Sequence, residues 1–156
     1  MRNRSWTLIV SAAAVLMAVE PLAAAADSPV GNWAKASDLT NAKGELILTI
    51  ERWGKGGAKL VYRMKGMQIV MSIETALDGS DAPFLVNGQP SGETMGITRI
   101  DGHHAASVLK INGKPFGTSK ATFSDDFSKL TVENEVQSAT SVGPPKGKTI
   151  EIWTRR

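Results

Sequence analysis

The chain has 156 residues, no cysteine, 18 basic and 15 acidic side chains and two histidines. That composition excludes a disulfide scaffold, thiolate metal sites and cysteine nucleophiles, so the fold must be held by core burial alone. The basic side chains are scattered among acids and form no stripe, which argues against a nucleic-acid groove.

Residues 1–26 have the three parts of a secretory signal: Arg2 and Arg4 at the start, the apolar stretch Thr7 to Val19, and Ala23 to Ala26 before Asp27. The apolar stretch is 13 residues long and ends at Glu20-Pro21, short of the roughly twenty that a spanning helix needs. Residues 1–26 are therefore read as a cleaved signal peptide and 27–156 as one domain, large enough for a core of its own. Removing Arg2, Arg4 and Glu20 leaves 16 basic and 14 acidic side chains, a net charge of +2. With no cysteine to carry a lipid, the expected location is periplasmic or secreted, with nothing spanning the membrane after cleavage.

From Gly31 onward the chain reads as strands and tight turns. After a short opening strand, Leu46, Leu48 and Ile50 share one face of a segment ending at Trp53, and Gly54-Lys55-Gly56-Gly57 turns into Lys59 to Met64. In the next segment Met67, Ile69, Met71, Ile73 and Leu77 lie on one face against Gln68, Ser72 and Glu74. Asp78-Gly79 and Asn87-Gly88 bracket a short piece around Phe84 to Val86, and a further strand runs from Thr94 to Ile100. Ala105 to Ile111 and Phe116 to Phe123 are joined by Asn112-Gly113, the dipeptide suited to a two-residue hairpin loop. Leu130, Val132 and Val136 mark another strand, and after the loop Ser138 to Lys148 the last runs from Thr149 to Thr154. Eight main strands and a short opening one are predicted.

Amphipathic antiparallel strands with no helix to cover their apolar face must close on themselves or fold into two layers. Sequential hairpins with short turns favour an all-β, antiparallel up-and-down barrel of about eight strands; a β-sandwich is the alternative. An outer-membrane barrel needs an outward apolar band with aromatic girdles. One tyrosine and four phenylalanines are too few for that.

Gly31-Asn32-Trp33, the consecutive hairpins and the pair Arg155-Arg156 closing the last strand resemble the lipocalin and calycin superfamily, and in particular its small exported bacterial members. The resemblance implies that Gly31 and Trp33 start the first strand and that Trp33 plugs one barrel end beneath Arg155 or Arg156. Eight strands enclose a space that is either filled by side chains or just wide enough for one small ligand, and the protein is expected to be non-enzymatic.

Within such a barrel Tyr62, Met64, Met67, Ile69, Met71 and Ile73 are the candidate ligand-binding residues. They belong to adjacent strands, and methionine gives an adaptable apolar wall suited to a small hydrophobic molecule. The same residues are also what a filled core would use, in which case the protein is an interaction module, an envelope inhibitor or complex subunit, presenting the loop 138–148 with Gly143-Pro144-Pro145 at its centre to a protein partner. Catalytic readings are weaker. His103 and His104 are adjacent in a turn and point to opposite faces of any strand, Asp125-Asp126 has the composition of a turn, and Glu133 and Glu135 sit on a solvated face. No catalytic residue, metal ligand or cofactor is assigned.

Overall fold

A computed structural model describes residues 27–35, 45–140 and 143–156; the signal-like segment 1–26 lies outside them. The described chain forms ten strands: β1 Gly31–Lys35, β2 Leu46–Trp53, β3 Gly57–Met64, β4 Val70–Thr75, β5 Asp78–Val86, β6 Gln89–Arg99, β7 His104–Ile111, β8 Lys114–Phe123, β9 Lys129–Val136 and β10 Gly147–Arg155. Every strand pairs antiparallel with its neighbours in sequence, and β1 pairs with both β2 and β10, so the sheet closes as an up-and-down barrel. Closure leaves no free sheet edge.

The turns form where the chain supplies positive dihedral angles. Asn87-Gly88 and Asn112-Gly113 each take φ values of 49–51° followed by 75–80°, the pattern of a type I′ hairpin whose twist matches the flanking strands. Val86 then faces Gln89, and Ile111 faces Lys114.

The strand count is ten, one above the eight main strands and short opening one expected. The short opening strand pairs fully on one side, and the piece expected only around Phe84 to Val86 is a nine-residue strand, β5. Its pairing with β6 shifts register between Asp78 and Asp81 and again between Pro83 and Leu85. Each shift inverts the side-chain alternation locally, so the period of two is broken in the sequence. The long segment Met67 to Leu77 is also divided. β4 starts only at Val70, and Leu77, at a φ of 61°, bends the chain into β5, its amide held by the Thr75 hydroxyl at 3.0 Å.

Inward positions build three apolar clusters on the wall. One gathers Trp33, Leu48, Ile50, Phe127, Leu130 and Trp153 toward the end where β10 finishes. Another joins Ile73, Ala82 and Phe84, and a third, at the opposite end, joins Leu109, Phe116 and Val136. The outer wall carries cross-strand ion pairs, Lys59–Glu74 at 2.8 Å, Lys110–Asp81 at 2.9 Å and Lys148–Glu135 at 3.7 Å, the pattern of a sheet facing water. No helix among the described residues is long and apolar enough to cross a membrane.

Candidate functional site

One end of the barrel is closed by a tryptophan and an arginine. Trp33 is fully buried, its indole N–H donating to the Pro29 carbonyl at 3.0 Å and its ring tilted against Phe123 at 5.3 Å. Trp33 and Arg155 are direct partners across β1 and β10, and the guanidinium lies over the indole with Cζ 5.2 Å from the ring centroid, within cation–aromatic range. Arg155 also donates to the carbonyls of Ser28 (2.8 Å), Phe127 (3.3 Å) and Val30. Of the two arginines left open by the sequence, Arg155 is the cover. Arg156 points elsewhere, pairing with Glu45 and donating its amide to the Asn32 carbonyl. Gly31, at a φ of 144°, leaves the room this needs: a Cβ there would stand 2.8 Å from an Arg155 guanidinium nitrogen.

Behind this closure the barrel is hollow, enclosing a cavity of about 1220 Å³. Inward side chains of β2 to β7 make a largely apolar wall, with Leu48, Leu60, Met71, Phe84, Met95 and Leu109 among its members and Glu93 and Ser107 as polar exceptions. The facing wall, on β8 to β10 with the end of β1, is mixed. Ser119, Asn134, Thr149, Glu151 and Lys35 point into the same space, beside Ala121, Val132 and Trp153. Lys35 and Glu151 are joined at 3.1 Å with side chains only 20% and 18% exposed. Burial, with a smaller contribution from the Glu151 carboxylate, pushes the Tyr62 phenol well above the ordinary tyrosine range.

The six side chains assigned from the sequence as a ligand wall are separated by the fold. Tyr62 and Met71, partners across β3 and β4, line the cavity together. Ile73 is fully buried in the wall cluster with Phe84, and Met64 sits at the last position of β3, opposite Leu46. Met67, 51% exposed, and Ile69 lie on the surface in the turn before β4. The alternation that extends the face back to Met67 ends where Gly66, at a φ of 85°, and the bond from the Met67 amide to the Met64 carbonyl turn the chain away.

The other candidates resolve into turns. Asp101 accepts from the backbone amides of His103 and His104 at 2.7 and 2.8 Å and from the His104 ring, while the His103 ring turns inward and stacks on Phe127 at 4.5 Å. The two imidazoles thus diverge. Asp126 accepts from the hydroxyls of Ser124 and Ser128 and from the Ser128 amide, which holds its carboxyl down at about 2. Glu133 and Glu135 face solvent on β9. Among the described residues no group of three or more histidine, aspartate or glutamate side chains is placed to hold a metal. In the loop 138–148, Gly143, Pro144 and Pro145 fold back against the mouth of the cavity.

The polar members of the lumen went unnoticed in the sequence. Their signal was parity: Lys35 is two residues from Trp33, Glu151 two before Trp153, and Asn134 two after Val132, so each shares the inward face of its strand.

Fold and cavity together define a hollow, ten-stranded, up-and-down antiparallel β-barrel. In its path the chain is similar to the fluorescent protein UnaG, in the crystal structure of a single-substitution mutant, with a TM-score of 0.58 and 13% identity over 81% of this chain and 95% of that one. An identity that low carries the fold alone. No family model and no curated protein matches the chain in sequence.

Proposed function

We propose that the protein is an exported, non-enzymatic barrel that holds a small hydrophobic molecule in its lumen, as a carrier or sensor working in the periplasm or outside the cell. The observation that carries this reading is the cavity of about 1220 Å³ walled largely by leucine, methionine and phenylalanine side chains. Most ligand sites of drug-sized molecules enclose about 300–1,000 Å³, so this space is ample. A filled interior is what the alternative, an interaction module acting only through loop 138–148, calls for, and an open lumen favours the ligand. The signal-like composition of residues 1–26 supports export.

Native mass spectrometry of the protein purified from an exporting host, followed by extraction, tests the proposal. A reproducible small adduct is expected, lost in a variant whose lumen is filled by Met71→Trp with Ala121→Phe. A clean apo mass that also resists loading with apolar molecules would overturn it.

A further inference from the structure

We infer that the lumen is built for an uncharged amphiphile bearing a hydroxyl or amide group, and that it discriminates against carboxylates. This deepens the reading above and rests on it.

The polar side chains of the lumen are in register with one another. Ser107 faces Ser119, Ser119 faces Asn134, and Asn134 faces Thr149, so four hydrogen-bonding side chains form one row across β7 to β10. They are also chained: the Ser119 hydroxyl donates to Asn134 Oδ1 at 2.6 Å, and Asn134 Nδ2 donates to the Thr149 hydroxyl at 3.3 Å. Asn134 is 5% exposed, deep enough that an unmet polar group there is costly. The chain leaves the second amide proton of Asn134 and the Thr149 hydroxyl proton to be satisfied from within the lumen. In the barrel order β9 stands opposite β4, so this row confronts the apolar wall of Leu60, Met71 and Phe84. A guest with an apolar body and one hydrogen-bonding edge matches both walls at once.

Charge narrows the class further. The Lys35 ammonium is already matched by Glu151 at 3.1 Å. Glu93 also lines the lumen, is 5% exposed, and has no cation within salt-bridge distance among the described residues. These three groups carry one positive and two negative formal charges. A ligand carboxylate inside the lumen would have to shed water beside two resident carboxylates, where among the described residues the one lysine is already engaged. Arg52 and Arg99 lie at the rim of the end that Trp33 and Arg155 close and are exposed, with Arg99 donating to the Gly56 carbonyl at 3.3 Å.

The test uses 1-pyrenebutanol and 1-pyrenebutyrate, which share an aromatic body and differ in ending as alcohol or carboxylate. Pyrene accepts energy from tryptophan, and Trp153 in the lumen wall is the donor. Titrations at neutral pH should show saturable quenching by the alcohol and affinity about tenfold or more weaker for the acid, as expected for burying an unpaired charge. Asn134→Leu should weaken the alcohol several-fold, with Ser119→Ala as the milder second variant, and Glu93→Gln should narrow the gap between the two probes. Equal or tighter binding of the acid, abolished by the lumen-filling pair of substitutions, would overturn the inference and leave the lumen reading standing. An alcohol affinity indifferent to both Asn134→Leu and Ser119→Ala would also overturn it. If neither probe quenches, the lumen reading fails and this inference goes with it.

Discussion

Replacing Trp33 by alanine is the sharpest test of how the barrel end is closed. The indole is fully buried, so truncation removes a large apolar side chain from a wall formed by Leu48, Phe123 and Leu130 with little freedom to collapse; such changes cost about 3–5 kcal/mol. At about 2–4 °C per kcal/mol for a chain of this size, the melting midpoint should fall by roughly 10–15 °C. Trp33→Phe keeps much of the ring and loses the N–H bond to Pro29, so it should cost only about 1–2 kcal/mol. A double-mutant cycle with Arg155→Gln should return a coupling of about 1 kcal/mol, the size of a partly desolvated cation–aromatic pair. Thermal unfolding, with urea unfolding for the free energies, followed by circular dichroism measures all four variants. A drop in midpoint of less than about 3 °C for Trp33→Ala would refute the plug, because no fully buried indole is removed so cheaply; strict additivity with Arg155→Gln would refute the cover.

Gly31→Ala places a Cβ 2.8 Å from the Arg155 guanidinium at a φ of 144°; it should destabilise by about 1–2 kcal/mol, and Arg155→Gln should relieve the part due to the clash while the backbone strain remains. Tyr62 is the single tyrosine, which makes its phenol directly visible by ultraviolet absorbance. Its raised folded value means the native state keeps a proton that the unfolded chain loses near pH 10. Stability should therefore be intact below about pH 10 and decline above it, with tyrosinate absorbance appearing only in step with unfolding; ionisation of the folded protein near pH 10 would contradict the burial. Lys35→Met leaves the Glu151 carboxylate, whose side chain is 18% exposed, without its partner, and should cost about 1–3 kcal/mol. The double change Lys35→Met with Glu151→Leu should recover most of it, and equal losses in the single and double variants would refute that account.

The barrel was legible because its strands announce themselves. Leu46, Leu48 and Ile50, or Leu130 and Val132, alternate cleanly, and Asn112-Gly113 leaves one hairpin geometry. β5 was not legible: Ser80, Asp81 and Pro83 break the period, and its two register shifts reverse the faces midway. Trp33 and Arg155 were legible as a pair only through a likeness to a known barrel. The choice between Arg155 and Arg156 depends on the β1–β10 register, which sequence alone does not contain. The lumen was half legible. Tyr62 and Met71 follow from alternation, but Met67 and Ile69 follow the same alternation and lie outside, because a periodic pattern does not show where pairing begins.

The polar lumen and the strand count are connected. An eight-stranded barrel is just wide enough for its own side chains to fill or to hold one small ligand, and the interior widens with each added strand. In a filled interior, Asn134, Glu93 and the pair Lys35–Glu151 would be buried against leucine and methionine, each costing several kcal/mol unless fully satisfied. With ten strands the walls stand apart, so these groups border open space and need only partial partners within the protein. Side chains that look misplaced on an inward parity, lysine beside Trp33 and glutamate beside Trp153, are therefore the sequence's own sign of a hollow barrel. Filling the lumen should make them costly: with Met71→Trp and Ala121→Phe in place, Asn134→Leu should stabilise the protein, whereas in the open barrel it should destabilise it by breaking the chain from Ser119 to Thr149. The same sign in both backgrounds, read from urea midpoints, would break the link between lumen width and lumen polarity.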